Sequence, residues 1–161
     1  MRLLALAAVV FAVTTAPAHA AKSRCSLATA RSAIASTHLR MALLDGPTRV
    51  DPNSADAVLC FDFTRDGRLD LAVTIASGGT AGDVGFVVFR ATAGGWRVAL
   101  ARDGYKLGLF RVGGDVVSSQ PVYRKKDPNC CPTGGFDHLR FHWNGVRFVV
   151  ARNWHTKSFR T

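Results

Sequence analysis

The spacing of apolar residues changes once along this chain, and the change divides it. Between Ser26 and Leu44, the residues Leu27, Ala30, Ile34, Met41 and Leu44 recur at steps of three, four, seven and three, the stripe of an amphipathic helix. Ser26 is a suitable N-cap. Asp45-Gly46-Pro47 is a stop signal, because glycine supplies a left-handed cap and proline cannot continue the helix. One helix is therefore predicted over 26–44, with a connecting loop over 46–56.

From Ala57 onward the period falls to two. Short runs rich in Val, Phe, Leu and Tyr occupy 57–63, 69–76, 84–91, 96–102, 105–112, 116–123, 137–143 and 146–152. Between them stand Asp66-Gly67, Gly78-Gly79, Gly94-Gly95, Asp103-Gly104, Gly113-Gly114 and Asn144-Gly145, the dipeptides that close tight hairpins. Connections this short leave no room for parallel crossovers. The expected fold is α+β: one helix packed on an antiparallel meander of about seven or eight strands. In 137–143 the alternation puts Leu139, Phe141 and Trp143 on one face and His138, Arg140 and His142 on the other.

The N-terminus belongs to neither pattern. Arg2, the apolar run Leu3–Val13 and the small-x-small triplet Ala18-His19-Ala20 make residues 1–20 a cleavable secretion signal. The run is about half the roughly 20 residues that a bilayer-spanning helix needs. The expected product is a single exported domain over 21–161, secreted or associated with the cell envelope. Cys25 follows Lys22-Ser23-Arg24, the wrong context for lipid attachment, so no lipid anchor is expected.

Export changes the reading of the cysteines. Cys25, Cys60, Cys130 and Cys131 are an even set in an oxidising setting, which favours two disulfides over a metal site. A bond between the adjacent Cys130 and Cys131 would close an eight-membered ring and restrain almost none of the unfolded chain. One member is therefore expected to reach Cys25 and the other Cys60.

Charge adds a partner class. The chain carries 21 basic and 11 acidic residues, a formal +10 that becomes +9 once Arg2 leaves with the signal. Anionic lipid, acidic wall polymer or another exported protein suits that balance. Arg124-Lys125-Lys126 is the densest basic run, with Arg152, Lys157 and Arg160 near the C-terminus. Nothing in the sequence matches a nucleic-acid-binding signature.

Asp62, Thr64, Asp66 and Asp70 stand at positions 1, 3, 5 and 9 of a segment with Gly67 at position 6, the spacing of an EF-hand-like calcium loop. The segment also looks like the Asp-rich loop of FG-GAP propeller repeats. Thr64 stands where an acid or amide is usual, Arg65 and Arg68 add positive charge, and Val73 replaces the closing glutamate. The competing reading is a turn on Asp66-Gly67 in which Asp62 and Asp70 accept backbone hydrogen bonds. His138 and His142, about 13 Å apart on a strand, are expected at the surface. No cofactor and no catalytic residue is assigned. Ser118 and Ser119 lack a nucleophile elbow, and the Gly-rich 78–83 segment lacks the ending of a phosphate loop. A hydrolase would need Asp62, Asp70 or Asp83 brought beside His138.

Four segments in order, DxTxDGRLDLAV (62–73), IASGGTAGD (75–83), GGW (94–96) and DPNCCPTGG (127–135) leading into RFHWNG (140–145), resemble the LppP/LprE family of exported actinobacterial lipoproteins. The likeness covers roughly residues 25–152. It implies a small envelope-associated domain with no established catalytic residues, and a cysteine pair at 130–131 as a shared feature. The chain departs from it in having no acceptor cysteine after the signal. The function expected is a non-enzymatic binding domain for an anionic or exported partner. A calcium-stabilised module built on 62–70 and a hydrolase are the alternatives.

Overall fold

The computed structural model describes residues 25–43 and 46–159. The segment expected to be a secretion signal, Leu44 and Arg160 lie outside the described residues. One helix, α1 (Leu27–Thr37), precedes ten strands among those described. These are β1 (Arg40–Leu43), β2 (Gly46–Arg49), β3 (Ala55–Phe61), β4 (Asp70–Ala76), β5 (Asp83–Thr92), β6 (Gly95–Asp103), β7 (Gly108–Val112), β8 (Asp115–Pro121), β9 (Phe136–Trp143) and β10 (Phe148–Thr156). No described helix is long and apolar enough to cross a membrane.

The helix ends sooner than the apolar stripe predicts. Ser26 caps it through Thr29 N, as expected, but His38 adopts a left-handed φ of 49° and closes it after Thr37. Ser36 and Thr37 turn their hydroxyls back onto the carbonyl of Ala33, a local bond that competes with helix continuation. Met41 reaches the core from β1 instead, by a coincidence of spacing. The region expected to be a loop over 46–56 holds β2, a 3-10 turn at Pro52–Ser54 and the start of β3. Ten strands thus replace the predicted seven or eight.

The strands are all antiparallel, but they form three sheets rather than one meander. A central sheet has the order β3-β4-β5-β6, and a second has the order β10-β9-β8-β7. The β1–β2 hairpin is separate. Gly94-Gly95, Gly113-Gly114 and Asn144-Gly145 lie at hairpin turns. Asp103-Gly104 does not, because there the chain leaves one four-stranded sheet for the other.

Three layers result. Leu71, Val73, Ile75, Val87 and Phe89 point to one side of the central sheet, where Ala30, Ala33 and Ile34 of α1 and Leu39 and Met41 cover them. The alternate residues Ala72, Phe86 and Val88 point to the other side and meet Val116, Phe141 and Trp143 of the second sheet. β4 and β5 are therefore buried on both faces, which is why their runs are continuously apolar. Close approach is built in at Gly85, where an added Cβ would fall 2.7 Å from Met41 Cε.

Both disulfides form, with pairings that differ from the expected ones. Cys25 joins Cys60 across 35 residues, tying the chain just ahead of α1 to β3. Cys130 and Cys131 join each other. The pair lies at the tip of the β8–β9 connection, in a turn where Cys131 N donates to Pro128 O. This backbone is not extended, so the argument from opposite strand faces does not apply to it.

Candidate functional site

The two four-stranded sheets part at one end of their strands, where β5 begins and β6 ends. The opening is a cleft of about 780 Å³. Its floor is apolar: Phe86 and Phe141 are buried with ring centroids 5.6 Å apart, and Leu107 closes the back. Its rim is polar and exposed, with Arg102 and Asp103 from β6, Gln120 from β8, Asp137 from β9 and Asn153 and His155 from β10.

Strand register explains this assembly. Arg102 lies directly opposite Phe86, Asn153 opposite Leu139, and His155 opposite Asp137, so each pair shares a sheet face. Asp137 is in phase with Leu139 and Phe141, which carries a carboxylate to the inward face at the strand's open end. The Asp137 carboxylate holds His155 Nδ1 at 2.8 Å. Arg102 sets its guanidinium 6.0 Å above the Phe141 ring. It forms none of the ion pairs found among the described residues. The sequence does contain the signal for this site: polar residues in the inward phase at the ends of apolar strands. Sequence reasoning stopped at the alternation itself and missed it.

The β8–β9 connection, residues 122–135, borders the cleft through Tyr123. Its base is fixed by Gly134 and Gly135, where a Cβ would strike Val122 O and Thr156 O respectively. Gly135 also holds a φ of +84°. Asp127 accepts from Arg124 N and Thr133 N at 2.7 Å each and from Thr133 Oγ1 at 2.8 Å, and these bonds hold its carboxyl below the usual carboxylate pKa. Asn129 is gripped from three sides. Lys106 Nζ and Tyr123 Oη donate to its carbonyl, and Tyr105 Oη donates to its side chain. Arg124, Lys125 and Lys126 stand exposed on this connection, beside the cleft rather than within it.

The other predicted residues lie at the opposite end of the strands. Asp62 accepts Asp66 N at 3.0 Å and Gly67 N at 2.8 Å. Asp66 accepts Arg68 N and, at 3.1 Å, the guanidinium of Arg90. Asp70 is fully buried and accepts Thr64 N, Thr64 Oγ1 and Ala91 N within 2.9 Å. Burial raises its pKa despite these three donors. Each carboxylate is thus engaged by the protein, and the loop would have to give up these bonds to hold calcium. Among the described residues no three His, Cys, Asp or Glu side chains gather as a metal site.

His138 is not at the surface as expected. It is fully buried on the outer face of the second sheet, stacked 4.9 Å from Trp154 and bonded through Nε2 to Thr156 Oγ1. Burial holds its pKa below the ordinary value. Asp83 and Asp70 are hydrogen-bonded within their own surroundings and share no partner with His138. His142 and Arg140 instead flank the buried Asp115, at 2.8 and 2.6 Å.

Comparison of the chain with family models, with curated proteins and with solved structures returns no match.

Proposed function

We propose that this is an exported, non-enzymatic binding domain that takes a polyhydroxylated ligand bearing an acidic group into the cleft between its two sheets. The observation that carries the reading is the cleft itself, with an apolar floor and a rim of hydrogen-bonding side chains around Arg102, which pairs with no described carboxylate. Few placed polar groups over an apolar surface is the usual build of a ligand site. Arg102 suits a carboxylate or phosphate because its planar fork binds two oxygens together. Asp103 and Asp137 suit the hydroxyls of the same ligand, since a carboxylate accepts and cannot donate. The positive charge of the chain, its signal-like N-terminus and its resemblance to the LppP/LprE family support an envelope location.

The test is an amide NMR titration with a short oligogalacturonate. Shifts are expected at 102–103, 118–123, 137–139 and 153–155, and Arg102→Ala is expected to weaken binding about tenfold, near 1.4 kcal/mol. Shifts confined to 124–126, or none at millimolar ligand, would overturn the reading.

A further inference from the structure

The Cys130–Cys131 bond does little that a structural disulfide does. A cross-link stabilises by removing freedom from the unfolded chain, and that effect grows with the length of the loop closed. Cys25–Cys60 closes 35 residues and has Cys60 packed against the core. Cys130–Cys131 closes a separation of one. Both of its cysteines are exposed, so an incoming thiolate meets no side-chain cover.

Its place in the fold links it to the cleft. Asn129, bonded directly to Cys130, is the residue gripped by Tyr105, Lys106 and Tyr123. The two tyrosine rings meet edge to face at 5.7 Å, and the Lys106 ammonium lies 5.6 and 5.8 Å from them. Tyr123 lines the cleft. The eight-membered ring fixes the backbone that follows Asn129. Opening the ring would remove that covalent restraint next to the Asn129 that Tyr123 holds.

We infer that Cys130–Cys131 is a redox site, reduced by exported dithiols, that sets the order of the 122–135 connection at the mouth of the cleft. A dithiol's thiolate attacks one sulfur to form a mixed disulfide, and the other cysteine leaves as thiolate. The second thiol of the reductant then displaces the first cysteine. The reductant ends as a disulfide, and the protein gains two electrons and two protons as two thiols. The redox site stands without any ligand; only its effect on ligand binding rests on the function proposed above.

The experiment titrates the oxidised protein with dithiothreitol, traps thiols with N-ethylmaleimide and locates the adducts by mass spectrometry, with hydrogen exchange followed in parallel. Cys130 and Cys131 are expected to label at reductant concentrations at least tenfold below those for Cys25 and Cys60. Amides of 123–131 are then expected to exchange at least tenfold faster, with α1 unchanged. The double variant Cys130→Ser, Cys131→Ser is expected to show the fast pattern without reductant. Simultaneous reduction of both bonds, earlier reduction of Cys25–Cys60, or slow exchange in the reduced or double-serine protein would overturn the proposal. These readouts need no ligand, so a failed oligogalacturonate titration leaves them intact.

Discussion

The two four-stranded sheets share strand number and antiparallel pairing, yet they are built for different work. The central sheet presents apolar residues to α1 on one side and to the second sheet on the other. The second sheet mixes the two characters on its outer face, where Phe110, Phe136, Trp154 and Phe159 pack around His138. Its outer face carries Asp115, Arg140 and His142 at one end and the buried Ser119 and His138 farther along. Polar groups gather where one layer ends, on that outer face and at the open edge between the sheets. The central sheet is buried on both sides, whereas the polar groups collect at the open edge between the two sheets and on the outer face of the second.

The comparison can be broken most forcefully in the middle of β5. Phe89 is fully buried against the helix side. Phe89→Ala is expected to lower the unfolding free energy by about 3–5 kcal/mol in a urea titration, the cost of a large cavity in a core that cannot collapse around it. A loss below about 1 kcal/mol would show that the helix layer adjusts freely and that the central sheet is not the rigid one.

A smaller loss is expected at the start of β4. Asp70→Ala strands Thr64 N and Ala91 N inside the protein, a cost of about 2–3 kcal/mol by the same titration. Its pH dependence has a definite sign. The folded carboxyl has a raised pKa, so the folded state holds its proton more readily than the unfolded chain. The contribution of Asp70 therefore improves as pH falls through the raised folded value towards the unfolded one near 3.9. Asp127, with a lowered folded pKa, behaves oppositely. Its contribution is present above the unfolded value and is lost as pH falls through the folded one.

The smallest effect sharpens the contrast on the second sheet. Burial disfavours the protonated form of His138, and among the described residues its Nδ1 has no hydrogen-bond partner; nor has Ser119 Oγ on the neighbouring strand. The unfolded chain takes up the proton first. The His138 contribution is complete above the ordinary histidine value near 6.5 and is lost as pH falls below it. Thermal unfolding between pH 7 and pH 5 is expected to show a falling midpoint in the wild-type protein and a shallower slope in His138→Leu. Equal slopes would place the acid sensitivity elsewhere.

Much of this architecture was legible in the sequence. Hairpin dipeptides carry their meaning locally, so the turns at Gly94-Gly95, Gly113-Gly114 and Asn144-Gly145 could be placed without tertiary knowledge. Asp103-Gly104 has the same local character but serves as the passage between sheets, and nothing within a few residues distinguishes the two uses. Met41 followed the helical stripe by spacing alone, while the left-handed turn at His38 had already ended the helix. The turn reading of 62–70 was available from the side chains, because Asp and Asn types bond backbone amides two to five residues away. The cleft was not, since Arg102, Gln120 and His155 are far apart in sequence and meet only after two sheets have packed. The vicinal disulfide was missed for a geometric reason: the alternation that separates neighbouring side chains in a strand is absent from a turn.

The edges of the sheets carry one more consequence. Each four-stranded sheet ends in edge strands, the usual starting point for edge-to-edge self-association. Here the edges are marked by exposed charges: Asp56 on β3, Arg97 on β6, Arg111 on β7 and Arg152 on β10. Two copies approaching along any of the last three edges would bring arginine against arginine. These arginines set like charges along the exposed edges, an arrangement that disfavours edge-to-edge pairing of strands.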